Sequence, residues 1–130
     1  MASRGFVRLR PEKEVPVSDC LFCRIAAGNL PAKIVHQDSQ CVAFEDLNPQ
    51  APTHVLVIPR KHVSSLRECD EEDQSILGHL LLTCASVASQ KGLSEHGYRI
   101  VANSGRDGGQ TVFHLHFHLL GGRAMLWPPG

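Results

Sequence analysis

The chain has 130 residues, of which 42% are hydrophobic, so it supplies one core and leaves no room for a second domain. Lysine and arginine together number 13, as do aspartate and glutamate, and this balance excludes the basic field that holds a nucleic-acid backbone or an anionic membrane. Any anionic substrate is therefore expected to be small and bound by a local set of groups.

The cysteines and the lack of export signals predict an intracellular protein. The five cysteines are an odd number, and several lie in stretches that predict helix or strand, so they do not form a disulfide framework. No apolar run approaches the roughly 20 residues of a membrane-spanning helix. The N-terminus also lacks the hydrophobic segment of a secretory signal. We expect a reducing compartment, the cytoplasm, with an organelle or the nucleus left open.

Residues 1–17 predict a flexible extension ahead of a single domain at 18–130. The arginines of this extension resemble those of a transit peptide, but two glutamates follow them closely. Transit peptides are poor in acidic residues. A disordered tail is therefore the favoured interpretation.

The first half of the domain predicts a short helix and three strands. The helix covers residues 20–27, with Ser18 or Asp19 as its N-cap and Gly28 at its end. Behind it come short runs of β-branched and apolar residues, typical of strands. The first two runs predict a hairpin and the third a strand buried on both faces: 33–36, 40–45 and 53–58.

The second half predicts a long helix and two further strands. Apolar residues recur at intervals of three and four over 70–92, behind an acidic start that suits a helix N-terminus. Alternation returns at 98–103, a glycine-rich loop covers 104–109, and 111–120 predicts the last strand. This order predicts an α+β domain: an antiparallel sheet of about five strands, a long helix packed on one side and a short N-terminal helix.

Three histidines, His114, His116 and His118, stand at alternate positions of the last predicted strand. Side chains alternate between the faces of a strand, so the three imidazoles share one face. Burying them together leaves ring nitrogens in need of partners, at a cost of about 1–3 kcal/mol for each unsatisfied group. We therefore expect them to face a cleft. The opposite face carries apolar residues that can pack under the long helix: Phe113, Leu115, Phe117 and Leu119.

Two chemistries compete for the three histidines. Imidazole is a common zinc ligand, but alternate positions on one strand spread over about 13 Å, too far for one ion to gather all three. Alternatively, the central imidazole is a nucleophile whose neighbours handle phosphate oxygens and protons. The turn 108–111 adds backbone N–H groups and a hydroxyl, which suits an anion. That turn on its own is equally well a tight connection between strands.

Several motifs in order and spacing make the chain from about residue 18 to its end resemble the histidine triad (HIT) family, and within it the Hint branch. The triad run matches the pattern in which histidines alternate with hydrophobic residues. The motifs are His114-Leu115-His116-Phe117-His118-Leu119-Leu120, Pro49-Gln50-Ala51-Pro52-Thr53-His54, Leu56-Val57-Ile58-Pro59-Arg60-Lys61-His62, Asp107-Gly108-Gly109-Gln110, and the ending that runs from Leu120-Gly121-Gly122-Arg123 to Trp127-Pro128-Pro129-Gly130.

The resemblance implies a homodimer that hydrolyses purine nucleoside 5′-phosphoramidates to the nucleoside monophosphate (AMP or GMP). His116 is the expected nucleophile that carries the nucleotidyl group, and His118 and His54 are expected to move protons. His114 completes the catalytic set. Groups expected at the phosphate, besides His116 and His118, are Asn103, Gly109, Gln110 and Thr111. Many relatives have serine in place of Thr111, and the added methyl group should leave function intact.

The resemblance also implies a nucleoside pocket. Asp46 matches the family's ribose-binding carboxylate, and an exposed carboxylate at a strand end can accept hydrogen bonds from both ribose hydroxyls. A solvated loop acid is the competing interpretation. The residues that match the base pocket are Leu21, Phe22, Ile25, Phe44, Leu47 and Leu56. Part of this apolar group is expected to be core.

The pair Cys20 and Cys23 allows a metal half-site, a redox pair or two packing residues. Some histidine triad relatives complete a structural zinc site with two histidines, which correspond here to His62 and His114. A structural zinc needs four ligands, and all four are present. Other relatives lack the cysteines and fold without metal. The zinc expected here is therefore structural, and catalysis is expected to need no cofactor.

Two other functions remain open. A nucleotidyl-histidine can be intercepted by a sugar phosphate, which makes a nucleotidyltransferase, although the Hint-like ending and a histidine at position 118 favour hydrolysis. A nucleotide-binding scaffold with incidental hydrolase activity is the other alternative. The neutral charge disfavours a nucleic-acid partner.

Overall fold

The computed structural model describes residues 19–130 of the chain, and the predicted extension 1–17 lies outside the described residues. The domain begins with a short helix and a hairpin, and a long helix precedes the last two strands. In chain order the elements are α1 (Leu21–Ala26), β1 (Ile34–Gln37), β2 (Cys41–Glu45), β3 (Thr53–Pro59), α2 (Gln74–Gln90), β4 (Tyr98–Val101) and β5 (Phe117–Gly121). None of the helices in this described part is long and apolar enough to span a membrane.

The strands form one antiparallel sheet of five, in the order β1-β2-β3-β5-β4. This confirms the predicted α+β architecture. β3 occupies the centre of the sheet, with Leu56 opposite His118 and His54 opposite Leu120 on β5. Nearly every residue of β3 is buried, as its uninterrupted apolar run predicts.

Each face of the sheet carries its own hydrophobic core, because side chains alternate along β3. Val55 and Val57 join the core under α2, where Leu80 is completely buried. Leu56 and Ile58 join a second core with residues of α1. Burying one such aliphatic side chain is worth about 1.5–3 kcal/mol. The two cores therefore hold α1 and α2 on opposite faces of the sheet.

Both helices begin differently from the prediction. The N-cap of α1 is Cys20, whose Sγ accepts a hydrogen bond from the Cys23 backbone N–H at 3.4 Å. The acidic run before α2 forms a short 3₁₀ turn, closed by a capping box between Asp70 and Asp73. The long helix therefore starts at Gln74 rather than at residue 70, because these carboxylates bind local N–H groups.

The last strand is shorter than predicted. β5 starts at Phe117, and the segment before it turns away so that the Leu115 N–H donates to the Val63 carbonyl at 2.6 Å. The alternation nevertheless continues, since Leu115, Phe117 and Leu119 all join the core under α2. Tertiary contacts thus keep these side chains on the predicted face, although the residues before Phe117 are not paired in the sheet.

Candidate active site and metal centre

A cavity of about 400 Å³ opens on the α1 side of the sheet. It combines an apolar floor with polar groups along one edge, which is typical of small-molecule sites. Eleven of the predicted site residues line it: Leu21, Phe22, Ile25, Phe44, Asp46, Leu47, His54, Leu56, Thr111, His116 and His118. The fold thus brings three segments of the sequence to one site: α1, the β2–β3 hairpin with its connecting loop, and residues 111–118.

Some predicted phosphate-binding residues lie outside the cavity lining. The Gln110 side chain donates to the carbonyls of Ser64 at 2.7 Å and Val112 at 3.0 Å, and accepts from the Gly105 N–H at 2.9 Å. It therefore holds the glycine-rich loop together. Gly109 has a φ of +84°, a conformation that favours glycine. Asn103 follows β4 and is half-buried.

His114 departs from the expectation that all three triad histidines face a water-filled cleft. Its side chain is completely buried. The predicted desolvation cost is avoided because both ring nitrogens have partners: Nε2 lies 2.8 Å from the Pro59 carbonyl, and Nδ1 faces the Cys20 and Cys23 thiols. His114 thus belongs to the cysteine cluster, while the other two triad histidines line the cavity.

His116 has a defined tautomer. Its Nδ1 lies 2.7 Å from the carbonyl oxygen of His114, and since a carbonyl only accepts, Nδ1 carries the hydrogen. The Nε2 lone pair is therefore available on a ring that lines the cavity. Burial lowers the pKa of His116, against the opposing effects of the His114 carbonyl and the Asp46 charge. The neutral, nucleophilic form consequently dominates near pH 7.

His54 and His118 form a directed hydrogen-bond chain. The Gln50 backbone N–H donates to His54 Nδ1 at 3.0 Å, so the hydrogen of neutral His54 is on Nε2. That Nε2 lies 2.9 Å from His118 Nδ1, which must accept, leaving the His118 hydrogen on Nε2. Burial lowers the pKa of His54 and brings that of His118 to about 4. The pair is therefore neutral at pH 7 and strongly acidic once protonated.

Asp46 lies at the polar edge of the cavity, just after β2. Its Oδ1 accepts the Asn48 backbone N–H at 2.8 Å, and its Oδ2 lies 3.4 Å from His54 Nε2. The contact with His54 is not an ion pair at neutral pH, because burial keeps that imidazole uncharged. The carboxylate thus retains lone pairs for a ligand's hydroxyl groups.

The site also contains groups that the sequence did not predict: the Gln50 backbone N–H, which sets the His54 tautomer, and the lining residues Pro31, Ala32 and Val112. A backbone N–H has no sequence pattern of its own. The proline-bounded loop at 49–52 was the available signal that this N–H is held in a rigid turn.

The four predicted zinc ligands, Cys20, Cys23, His62 and His114, do come together. Their ligand atoms all lie within 4.8 Å of one another. Cys20 Sγ is 3.3 Å from His114 Nδ1, and Cys23 Sγ is 3.2 Å from His62 Nδ1. A tetrahedral zinc with bonds of about 2.1–2.3 Å separates its ligands by roughly 3.4–3.8 Å. The two distances of 3.2 and 3.3 Å lie within a few tenths of an ångström of this spacing, and all four ligand atoms are close enough to share one ion.

The surroundings of the cluster also suit a metal. Because His114 donates from Nε2 to the Pro59 carbonyl, the Nδ1 lone pair points at the thiols, the usual support of a zinc-bound histidine. Burial raises the pKa of Cys23 to about 12, with a further contribution from neighbouring Cys20. The metal must therefore displace the thiol protons. A bound zinc would supply a structural cross-link between α1 and the segments that precede α2 and β5.

This fold and site define a class of proteins: an α+β domain with a closed cysteine–histidine cluster beside an open histidine cavity. The family profile described as the HIT domain matches residues 27–125. The chain therefore belongs to the HIT domain family.

The chain is similar to several HIT proteins over most of its length. It is 54% identical over 112 residues to an uncharacterized HIT-like protein of Synechococcus elongatus, which covers 86% of this chain and 97% of the relative. The crystal structure of a HIT family hydrolase from Legionella pneumophila has a TM-score of 0.85 and 49% identity, covering 86% and 100% of the two chains. A histidine triad protein from Clostridium difficile has a TM-score of 0.81 and 42% identity, covering 83% and 94%.

Proposed function

We propose that the protein hydrolyses purine nucleoside 5′-phosphoramidates in two steps, through a nucleotide bound covalently to His116. The observation that carries the proposal is the tautomer of His116: the His114 carbonyl binds Nδ1–H and leaves the Nε2 lone pair on the wall of a nucleotide-sized cavity. The description of the Legionella pneumophila relative as a hydrolase supports this reaction class.

In the first step, His116 Nε2 attacks the α-phosphorus. A bond forms between that nitrogen and phosphorus, and the bond from phosphorus to the substrate's amine nitrogen breaks. The leaving amine takes the electron pair and a proton from the His54–His118 pair, which is neutral in the free protein and takes up that proton from solvent when the anionic phosphate binds beside it. The attacking imidazole gains positive charge, which the bond from Nδ1–H to the His114 carbonyl stabilises.

In the second step, water attacks the phosphorus from the open side of the cavity. The bond between phosphorus and Nε2 breaks, and its electron pair returns to His116. The proton lost by water restores the protonated His54–His118 pair, so protons balance over one cycle. When the nucleoside monophosphate leaves, its negative charge is removed, so the pair returns its proton to solvent and the enzyme regains its starting form.

The substrate's nucleoside fits the rest of the cavity. Phe22 packs edge-on against Phe44 at 5.5 Å between ring centroids and against His116 at 5.2 Å, so the apolar part of the cavity adjoins the reacting imidazole. A purine would bind this floor, and Asp46 would accept the ribose hydroxyl groups. Thr111, at the cavity edge, would donate its hydroxyl to a phosphate oxygen, with Asn103 and the Gly109 backbone as further donors from the loop.

We also propose that two copies associate through the β4 edge of the sheet. β4 pairs only with β5 in the described chain, which leaves its other edge open. Beside this edge, Arg99 donates to the Leu126 carbonyl at 2.9 Å and holds the C-terminal segment, where Leu126 and Trp127 are 78% and 82% exposed. Light scattering after size exclusion should give twice the chain mass; a monomer at micromolar concentration would contradict this association.

The reaction is tested by mixing the purified protein with adenosine 5′-phosphoramidate and following AMP release. The early complex is trapped in acid-free quench and analysed by peptide mass spectrometry. AMP release together with an adenylyl group on His116 supports the two-step hydrolase. An adduct without AMP favours a transferase that needs an acceptor. If neither AMP nor adduct forms, the nucleotide-binding scaffold becomes the better interpretation.

A further inference from the structure

The hydrogens of the His54–His118 pair are placed by the loop at 49–52, which precedes β3. The Gln50 backbone N–H donates to His54 Nδ1 at 3.0 Å, and His54 Nε2 lies 2.9 Å from His118 Nδ1. One backbone group thus decides which nitrogen of each imidazole carries its hydrogen. Whatever holds Gln50 in place therefore also sets the direction of this hydrogen-bond chain.

Arg123 holds the carbonyl of the same residue. Its guanidinium donates twice to the Gln50 carbonyl, from Nη2 at 3.0 Å and from Nε at 3.3 Å, while Nη1 donates to the Ala124 carbonyl at 3.1 Å. A planar guanidinium presents its donors in a fixed fork, so two bonds to one oxygen fix its position better than a single donor does. A chain of contacts thus runs from Arg123 through Gln50 to His54.

The segment that carries Arg123 lies directly against the loop. Thr53, the first residue of β3, pairs with Gly121, the last residue of β5, so the residues after β5 continue beside the loop. Gly122 has a φ of +91°, and a Cβ atom at that position would lie only 2.8 Å from the Pro52 Cβ. Only glycine therefore allows this close approach. The C-terminal segment thus contacts the loop at two consecutive residues, Gly122 and Arg123.

We propose that Arg123 is a positioning residue, which holds Gln50 so that neutral His54 and His118 both keep their hydrogens on Nε2. If the loop shifts, His54 Nδ1 can carry the hydrogen, and His54 Nε2 becomes the acceptor. His118 must then donate from Nδ1, so its Nε2 keeps a lone pair and has no proton for the leaving amine. The effect of Arg123 on turnover rests on the proposed function, whereas its effect on the tautomers does not.

Anchoring of the C-terminal segment alone explains less of what Arg123 does. The segment has a second anchor, since Arg99 donates to the Leu126 carbonyl at 2.9 Å. Arg123 is exposed, so it contributes little to core packing. It also lies outside the cavity lining, whereas Gln50 and His54 belong to that lining. We therefore expect Arg123 to affect the rate of the chemical step and not the binding of substrate.

The first test reads the tautomers in the free protein. Two-bond ¹H–¹⁵N NMR spectra show which nitrogen of each imidazole carries hydrogen. At neutral pH the wild-type His54 should carry it on Nε2, and Arg123→Leu, which removes all the donors, should give a mixture of both tautomers. Arg123→Lys can still donate one hydrogen bond to the Gln50 carbonyl and should regain most of the wild-type pattern. Backbone spectra verify the fold, and Arg123→Gln replaces the leucine variant if that variant does not fold.

The second test is steady-state hydrolysis of adenosine 5′-phosphoramidate. Arg123→Leu should lower kcat about tenfold or more and change KM by less than about threefold, because a misplaced proton donor slows the chemistry while the substrate contacts remain. Arg123→Lys should recover most of kcat. The matched control is Arg67→Leu, at an exposed arginine outside the cavity lining, and it should equal the wild type in both tests.

The two tests separate the role of Arg123 from the proposed function. If the wild type hydrolyses no phosphoramidate, the proposed hydrolysis fails, while the NMR spectra still test Arg123. A His54 tautomer that is the same in the wild type and in Arg123→Leu would overturn the role of Arg123, even in an active hydrolase. Equal losses of kcat in Arg123→Leu and Arg67→Leu would overturn it as well.

Discussion

Two imidazoles only two residues apart, His114 and His116, serve opposite purposes. His114 is sealed in a cluster with two thiols, whereas His116 lines an open cavity beside an aspartate and two further imidazoles. In each ring a backbone carbonyl decides which nitrogen keeps its lone pair. Pro59 binds Nε2–H of His114 and so turns Nδ1 toward sulfur, while the His114 carbonyl binds Nδ1–H of His116 and leaves Nε2 to the cavity. The same side chain thus becomes a metal ligand or a nucleophile through one hydrogen bond.

The two sites are also mechanically linked, because the residue that would bind zinc with its side chain holds the nucleophile with its carbonyl. Phe22 packs against both rings, at 5.9 Å from His114 and 5.2 Å from His116. Loss of the metal should therefore shift the position of the His116 ring without changing its chemistry. This distinction can be measured.

The largest effect is expected for His116→Ala. Without the Nε2 lone pair no covalent nucleotide forms, so turnover should fall by at least about a thousandfold, as for nucleophile removal elsewhere. Nucleotide binding, measured by calorimetry with AMP, should stay within about threefold of wild type, because the base and ribose contacts remain. His96→Ala is the control. Normal turnover in His116→Ala would contradict the assignment of His116 as the nucleophile.

The next effect concerns the metal cluster. Cys20→Ser combined with Cys23→Ser should remove one zinc per chain and lower the melting temperature by at least about 5 °C, because a structural ion stabilises the fold by binding it. Turnover should fall much less than in His116→Ala. Cys69→Ser, a half-buried cysteine outside the cluster, is the matched control. Equal zinc content in the double variant and the wild type would remove the zinc assignment.

Asp46→Asn tests the polar edge of the cavity. Loss of the negative charge weakens hydrogen bonds from the ribose, so kcat/KM for the ribonucleotide substrate should fall about tenfold. The 2′-deoxy substrate should lose less, since one of the hydroxyl groups is missing from the start. Asp107→Asn, on the exposed loop, serves as control. Equal losses for both substrates would contradict the ribose role.

Stability against pH tests whether the cavity histidines are held neutral. Burial, aided by the nearby His116 and His54, lowers the pKa of His118 to about 4, against 6.5 for the ordinary side chain. Between these values the unfolded chain binds more protons, so the free energy of unfolding falls as pH drops from about 7 to about 4. His118→Asn should reduce this fall. Chemical denaturation across that window measures it, and parallel curves for the two proteins would contradict the shift.

The smallest effect is expected at Thr111. Thr111→Ser keeps the hydroxyl and removes a methyl group from an exposed position, so kcat/KM should change by less than about threefold. Thr111→Val keeps the shape and removes the hydroxyl, which should cost about tenfold if the group donates to phosphate. Identical values for the two variants would show that the hydroxyl takes no part.

Much of the fold follows from side-chain periodicity. Alternation in 114–120 predicted that Leu115, Phe117 and Leu119 meet α2, and the three-and-four repeat predicted α2 itself, because these patterns reflect local backbone geometry. Element ends were less accurate. The start of β5 depends on the bond between the Leu115 N–H and the Val63 carbonyl, a partner about fifty positions away that no local pattern reveals.

The sequence by itself determined the class of fold, the family motifs and the residue types of both clusters. Only the tertiary structure decided that both ring nitrogens of His114 have partners, that the Gln110 side chain holds its loop together, and that His36 and His79 meet at Asp38. The physical reason is the same in each case. A side chain's chemistry depends on its hydrogen-bond partner and its exposure, and those partners are backbone groups or side chains far along the chain.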